Sequence, residues 1–235
     1  EIKRLKMMYQ SVKGARNAGS VDYNQRILLI NPSGNYNPKK IGDFVDETIS
    51  SNGSTTEVIN GTTFEIAKVT EPWYAVSVTV DGKTEIKKVT KAVRHKYDGK
   101  LVKITTKSGS TIVTPNHSVF TVEKNQLKMI DAGELNEETP IVHAKTDYEK
   151  TTVSSSNSEV TEKLNDSFAI PPKKIKFVDP SSDYVYDISV EDNENFIDAN
   201  GGIVLHNTHG ILAAPNVSGR QFNLWGACAI TTKGQ

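Results

Sequence analysis

The sequence predicts an all-β domain over residues 20–207, bracketed by two short segments of different character. Within this span, short stretches rich in β-branched and aromatic residues follow one another at even spacing. Turn signals separate them, such as Asp81-Gly82, which favours a two-residue hairpin. Many short strands of this kind pack into one compact sandwich or barrel, so we expect a single β domain.

The individual elements follow from hydrophobic periodicity. Residues 2–16 are predicted to form a basic helix, because apolar side chains recur there at helical spacing among Lys and Arg. Residues 39–49 are predicted to form a second, short helix. Strands are predicted at 26–30, 57–59, 63–69, 74–80, 84–89, 101–106, 111–114, 118–122, 126–129, 140–144, 174–178, 184–190, 195–198 and 203–205.

One segment inside the domain departs from the strand pattern. Residues 146–169 are polar and rich in Ser, Thr, Glu and Asn. Such a composition offers few apolar side chains to bury, so we expect a flexible loop there.

The net charge changes along the chain at the same two points where the predicted strand pattern begins and ends. The whole chain of 235 residues is neutral, yet residues 1–19 carry a charge of +4 and residues 208–235 a charge of +2. Residues 20–207 therefore carry −6. Two basic ends around an acidic centre indicate that one protein interrupts another.

The cysteine count excludes several classes of protein. The chain has one cysteine, Cys228, which lies outside residues 20–207. An internal disulfide and a zinc site made of several cysteines are therefore excluded. No apolar run has the length of a signal peptide or a membrane span. We expect a cytoplasmic monomer of a microbial or viral host, without membrane binding and without a metal.

The carboxyl end of the β domain carries a reactive sequence, His206-Asn207-Thr208. The side-chain amide of Asn can attack its own backbone carbonyl and cut the chain behind it, and a neighbouring His can move the proton. The hydroxyl of Thr208 can act as an oxygen nucleophile. Because the same tripeptide also occurs in ordinary turns, the interpretation depends on partners elsewhere in the chain.

The amino end offers a complementary group, Ser20. Its Oγ can attack the carbonyl of Gly19 and convert the peptide bond to an ester, a step that requires a strained bond and a stabilised oxyanion. Gly19 suits this step because it has no side chain to obstruct the attack.

Two further positions could serve this reaction. In Thr114-Pro115-Asn116-His117, His117 can protonate the departing nitrogen of Ser20 and Thr114 can hydrogen-bond the same peptide bond; the alternative is an exposed turn histidine. Asp187 interrupts a predicted strand, where Asp is unfavourable. It either faces solvent on an edge strand or acts as a carboxylate that polarises the Thr208 hydroxyl or steers protons at the first junction.

Taken together, these residues resemble an intein, a protein-splicing element. Four stretches carry the resemblance, each with one of the residues above: 20–29 with the Ser nucleophile, 109–120 with Thr-x-x-His, 184–190 with the Asp, and 201–208 with His-Asn and the first downstream residue. They occur in the family's order and span all of residues 20–207.

The resemblance implies a horseshoe-shaped Hint fold that brings Ser20 and Asn207 together, with short helical host flanks. It also implies single-turnover self-splicing in four steps. Ser20 first forms an ester with Gly19. The upstream segment is then transferred to the hydroxyl of Thr208, and Asn207 cyclises and releases the insert. The remaining ester then rearranges to an amide. No cofactor is implied, because each step exchanges acyl bonds within one chain that acts on its own flanks.

The chain departs from the family pattern in two respects. Glu194 stands where a His often assists the cyclisation, so Glu194 is a candidate assisting residue for that step. The nucleophiles are Ser20 and Thr208, and the insert contains no Cys, although alcohols are poorer nucleophiles than thiols at neutral pH. Since residues 146–169 are too short to hold an endonuclease, the insert resembles a mini-intein.

Removal of the insert joins Gly19 to Thr208 and restores a second motif. The joined stretch resembles the Lys-x-x-x-Asn-Ser-x-Tyr-Gly motif of family B DNA polymerases, with Lys13, Asn17 and Gly210 at the matching residue types. This resemblance implies that the spliced host binds DNA and deoxynucleoside triphosphates as part of a longer polymerase involved in DNA replication.

The host motif is imperfect. Ala18 and His209 replace its Ser and Tyr, and the restored stretch has one residue more than the motif. The flanks also lack a catalytic carboxylate pair, so polymerisation would require a longer chain.

Three alternatives remain open for the insert. It could be a hedgehog-type autoprocessing domain that cleaves without ligation, or a splicing precursor inactivated by a Cys-to-Ser change at position 20. It could also be a non-enzymatic β domain within a nucleic-acid-binding protein.

Overall fold

Short strands dominate the structure, a computed structural model that describes residues 19–59, 61–145 and 162–207. The all-β prediction is confirmed: the described residues form many strands and one α-helix. In chain order the elements are β1 (Arg26–Ile30), β2 (Tyr36–Lys40), α1 (Ile41–Asn52), β3 (Thr55–Ile59), β4 (Thr62–Lys68), β5 (Tyr74–Val78), β6 (Thr84–Lys96), β7 (Leu101–Thr105), β8 (Ser110–Val113), β9 (Ser118–Glu123), β10 (Gln126–Asp131), β11 (Ile141–Ala144), β12 (Glu162–Leu164), β13 (Ser167–Ile170), β14 (Lys174–Val178), β15 (Tyr184–Val190), β16 (Asn195–Ile197) and β17 (Val204–His206).

The strands associate into antiparallel sheets that curl around a long central strand, β6. One path runs β2-β1-β5-β6-β4-β3, and β15 also pairs with β6. Residues 84–88 of β6 pair with β5, whereas residues 91–95 lie between β4 and β15. Three smaller sheets have the orders β10-β9-β17-β16, β11-β13-β12 and β14-β7-β8.

The core is divided between the two faces of the central strands. In β1, Ile27 and Leu29 pack into one buried cluster, while Leu28 and Ile30 pack into another. Successive side chains of a strand point to opposite faces, so a continuous apolar run is expected where both faces are covered. This explains why the sequence of β1 reads as unbroken hydrophobic residues.

One buried polar side chain ties β16 to β5. Asn195 Oδ1 accepts hydrogen bonds from Val78 N (2.7 Å) and Ser77 Oγ (3.1 Å). Its Nδ2 donates to Val78 O and Asn193 O, both at 2.8 Å. All the hydrogen-bonding capacity of this amide is therefore used, as a buried polar group requires.

Several predicted boundaries are corrected by the strand pairing. The helix predicted at 39–49 begins at Ile41 and ends at Asn52, because the preceding residues pair with β1 as β2. The strand predicted at 84–89 continues to Lys96, since β4 and β15 hold its second half.

The predicted loop at 146–169 is also corrected. Its last residues form β12 and β13, a hairpin whose turn contains Asn165 at φ 48° and which pairs with β11. The rest of that prediction, 146–161, and the predicted basic helix at 2–16 lie outside the described residues. Within the described residues, no helix has both the length and the apolar character needed to cross a membrane.

Candidate active site

The peptide that follows the first junction is held between two strands. Val21 is fully buried and forms isolated antiparallel bridges with Tyr186 of β15 and with Val113 of β8. Val21 N donates to Tyr186 O at 2.8 Å, and Tyr186 N donates to Val21 O at 3.0 Å. Continuing both registers by one residue places Ser20 level with Thr114 and Asp187.

Ser20 is buried and its polar groups have specific partners. Ser20 N donates to Thr114 Oγ1 at 3.0 Å, and Thr114 N donates to Ser20 O at 2.8 Å. Ser20 Oγ lies 3.2 Å from His95 Nε2. The side chain is 2% exposed, so the nucleophile is shielded from bulk water.

Gly19 packs directly against His117. A Cβ atom on Gly19 would lie 2.4 Å from His117 Cα and 3.0 Å from His117 N. His117 is buried in the turn after β8, where its N–H donates to Thr114 O at 3.0 Å. The alternative of an exposed turn histidine is therefore wrong.

Burial also sets the protonation of His117. It lowers the pKa of His117 to about 4, and a hydrogen bond with the backbone of Gly19 acts in the opposite direction. His117 is therefore neutral at pH 7. The hydrogen bond joins its ring to the peptide unit that the first step would cleave.

Asp187 lies inside the domain and not at its surface. It is 1% exposed, and β15 pairs with β6 so that Asp187 lies opposite Val93. The edge-strand alternative, with Asp187 facing solvent, is therefore wrong. Because directly opposed residues and alternate residues share a face, Asp187, Val93 and His95 all belong to the same face of the sheet.

The carboxyl junction approaches the same turn. Asn207 is fully buried, and its N–H donates to Glu194 O at 2.9 Å. β17 pairs with β9 through Leu205 and Val119, and continuing this register by two residues places Asn207 level with His117. The two ends of the insert are thus brought to one turn.

His206 and Glu194 flank Asn207 in different ways. The His206 ring is half-buried and lies 6.2 Å from the Phe120 ring, centroid to centroid. Glu194 is buried in a left-handed conformation with φ 55°, and its contact with Asn207 is made by the backbone carbonyl.

A buried turn fixes the start of the last strand. Asp198 Oδ1 accepts from Asn200 N (3.1 Å) and Ile203 N (3.2 Å). His143 is fully buried, and its Nδ1 lies 2.7 Å from Gly201 O. Burial lowers the pKa of His143 to about 4.

The remaining predicted residues lie outside the described residues. These are Thr208 at the second junction and the host residues Lys13, Asn17 and Gly210. In residues 19–59, 61–145 and 162–207, no group of three or more His, Cys, Asp or Glu side chains is arranged to hold a metal ion.

Sequence reasoning missed His95, which contacts the Ser20 hydroxyl. In the sequence it stands between Arg94 and Lys96, where it resembles part of a solvated charged stretch. The available signal was the spacing of two residues from Val93, which places both on one face if the strand continues. Because the predicted strand ends at residue 89, the prediction does not extend to His95.

Comparison with known proteins identifies the family. The model of the intein splicing domain matches residues 29–207 and so ends at Asn207. The DNA-directed RNA polymerase subunit Rpo1C of Methanocaldococcus jannaschii is 35% identical over 118 residues, which are 49% of this chain and 13% of that protein. A DNA polymerase of Thermococcus aggregans is 33% identical over 93 residues, which are 39% of this chain and 5% of that protein.

The chain thus matches a small part of the length of these relatives. Among solved structures, the transcription factor IIB Mvu mini-intein is 29% identical with a TM-score of 0.66, and the match covers 81% of this chain and 100% of that one. The expected Hint fold is therefore confirmed. With more than half of its length matched by the family model, the chain belongs to the intein splicing domain family.

Proposed function

We propose that residues 20–207 excise themselves and join Gly19 to Thr208 by a peptide bond. The observation that carries this proposal is the convergence of both junctions on one turn. Gly19 lies against the backbone of His117, and the register of β17 and β9 brings Asn207 to the same level.

In the first step, Ser20 Oγ attacks the carbonyl carbon of Gly19 and the Gly19–Ser20 peptide bond becomes an ester. Thr114 Oγ1 holds the N–H of that bond at 3.0 Å. His117, whose ring is neutral at rest, relays a proton to the nitrogen as it leaves. Because the fold already aligns the reacting atoms, the reaction avoids the entropy cost of aligning them. This alignment matters more for an alcohol than for a thiol, which is the better nucleophile.

The later steps complete the exchange. Thr208 attacks the ester and takes over the upstream segment, with Asp187 as the carboxylate that steers the proton. Asn207 then cyclises to a succinimide, assisted by His206, and releases the insert. The last ester rearranges to an amide without help. Every step exchanges one acyl bond for another, so the proposal needs no cofactor.

Expression followed by mass spectrometry tests the proposal. We expect a free insert of 188 residues (20–207) and a joined flank product of 47 residues. Unjoined flanks alone would support a hedgehog-type domain that only cleaves. If neither product forms, and Ser20→Cys restores neither, the splicing proposal fails. If Ser20→Cys restores both, the chain is an inactivated precursor.

The host is proposed to be a family B DNA polymerase. This rests on the motif restored around Lys13, Asn17 and Gly210 and on the similarity to proteins named DNA polymerase. A longer chain that contains the flanks should bind deoxynucleoside triphosphates after splicing and lose that binding on Lys13→Ala.

A further inference from the structure

We propose that His95 is a catalytic residue of the first step and acts as the general base that takes the proton from Ser20 Oγ. This inference rests on the proposed splicing function and assigns a role to a residue outside the four stretches that carry the resemblance to inteins.

The contact between the two side chains has the geometry that proton transfer requires. His95 Nε2 lies 3.2 Å from Ser20 Oγ, within reach of a hydrogen bond. The other ring nitrogen, Nδ1, lies 2.9 Å from Lys96 O. A carbonyl oxygen only accepts hydrogen bonds, so Nδ1 carries the ring hydrogen. The neutral ring therefore presents the lone pair of Nε2 to the Ser20 hydroxyl.

The ring is held in place by its position in the sheet. His95 lies in the central strand β6, directly opposite Phe64 of β4 and Val185 of β15. The Phe64 ring lies 4.7 Å from the His95 ring, and the Tyr97 ring lies 6.5 Å away in an edge-on arrangement. A side chain held on a sheet between two paired strands loses little further freedom when the reaction begins.

The surroundings keep His95 in the form that a base needs. The side chain is 5% exposed. Burial lowers the pKa of His95, and the hydrogen bond to the Lys96 carbonyl acts in the opposite direction. The ring is therefore neutral at pH 7 before the attack.

The step balances in atoms and protons. The Ser20 Oγ–H proton moves to His95 Nε2 while Oγ bonds to the carbonyl carbon of Gly19. The bond from that carbon to Ser20 N then breaks, and the nitrogen leaves as an amine after it takes up the proton that His95 removed, relayed through the neutral ring of His117. One proton thus moves from Ser20 Oγ to Ser20 N, and both histidine rings end neutral.

A serine nucleophile makes such a base necessary. A free cysteine is ionised by a few per cent at pH 7, whereas a serine hydroxyl is essentially never ionised without a base. A residue that removes the proton should therefore matter greatly for Ser20 and much less for a thiol at the same position. This contrast separates a base from a histidine that only packs beneath the junction.

The test isolates the first step. In a chain that carries Asn207→Ala and Thr208→Ala, the reaction stops at the ester, which hydroxylamine cleaves. We expect His95→Gln to slow this cleavage by about 10²- to 10⁴-fold. In the same chain with Ser20→Cys, we expect His95→Gln to slow it by no more than about tenfold.

Two controls exclude a general loss of structure. In a Ser20→Ala chain, adding His95→Gln should leave the rate of cleavage after Asn207 unchanged within about threefold. His143→Gln alters a second buried histidine whose Nδ1 also faces a backbone carbonyl, and it should leave ester formation unchanged.

The outcomes separate this inference from the proposed function. If the unaltered chain splices and His95→Gln forms the ester at the unaltered rate, the role of His95 is refuted while splicing stands. Equal slowing of the Ser20 and Ser20→Cys chains would also refute it, because a purely positioning residue has that effect. If the unaltered chain yields no ester and no joined product, both proposals fall.

Discussion

Gly19→Ala tests the close approach between the first junction and His117. The added Cβ would lie 2.4 Å from His117 Cα, whereas non-bonded carbon atoms prefer about 3.5–4.0 Å. The obstructing atoms belong to the backbone and cannot rotate away. The scissile peptide must therefore shift by about 1 Å relative to His117. A misplacement of this size costs about 100-fold in rate, or about 3 kcal/mol of activation free energy.

The assay follows hydroxylamine cleavage at the first junction in a chain with Asn207→Ala and Thr208→Ala. Gly19 precedes the folded insert, so the urea midpoint of unfolding should not change. Gly34→Ala serves as a control, because a Cβ there meets nothing within 4 Å although φ is +81°. If Gly19→Ala forms the ester as fast as the unaltered chain, the contact with His117 does not position the bond and the reasoning is wrong.

Three further predictions concern single side chains. Thr114→Val removes the acceptor of the buried Ser20 N–H and should slow ester formation by about tenfold in the hydroxylamine assay; an unchanged rate would show that this hydrogen bond is dispensable. The folded pKa of His143, about 4, lies below its ordinary 6.5, so its contribution to stability is complete above pH 6.5 and is lost as the pH falls to 4. The free energy of unfolding, measured in urea, should decrease between pH 7 and pH 5 by about 2 kcal/mol less in His143→Gln than in the unaltered chain. Equal decreases in the two chains would contradict this prediction. Asn195→Ala leaves the N–H and C=O of Val78 unpaired and should lower the free energy of unfolding by about 3 kcal/mol, against a negligible change expected for the exposed Asn35→Ala.

The sequence was sufficient to predict the all-β class and most strand positions. Period-two alternation and turn residues are local signals, and they hold wherever a strand has one buried face. The hairpin of β12 and β13 was not predicted, because it follows a polar stretch and is stabilised by pairing with β11. The second half of β6 was missed for the same reason, since β4 and β15 flank it there.

The site was only partly predictable. The chemistry of the side chains and the order of the four motifs predicted Ser20, His117, Asp187 and Asn207 as site residues. The sequence could not decide whether Asp187 faces solvent. Pairing of β15 with β6 decides that question. The spacing from Val93 could have placed His95 on the buried face, but its contact with Ser20 joins two distant parts of the chain and has no local signal.

The position of Val21 between β8 and β15 has a consequence for synthesis. A ribosome makes Ser20 early, yet the backbone partner of Val21 in β15, Tyr186, emerges only near the end of the insert. Until then the first junction lacks one of the two strands that hold it, and the strand that carries His95 lacks a neighbour as well. A nascent chain that stalls before β15 should therefore keep an ordinary peptide bond between Gly19 and Ser20, which hydroxylamine does not cleave. The topology itself delays the first acyl shift until almost the whole insert exists.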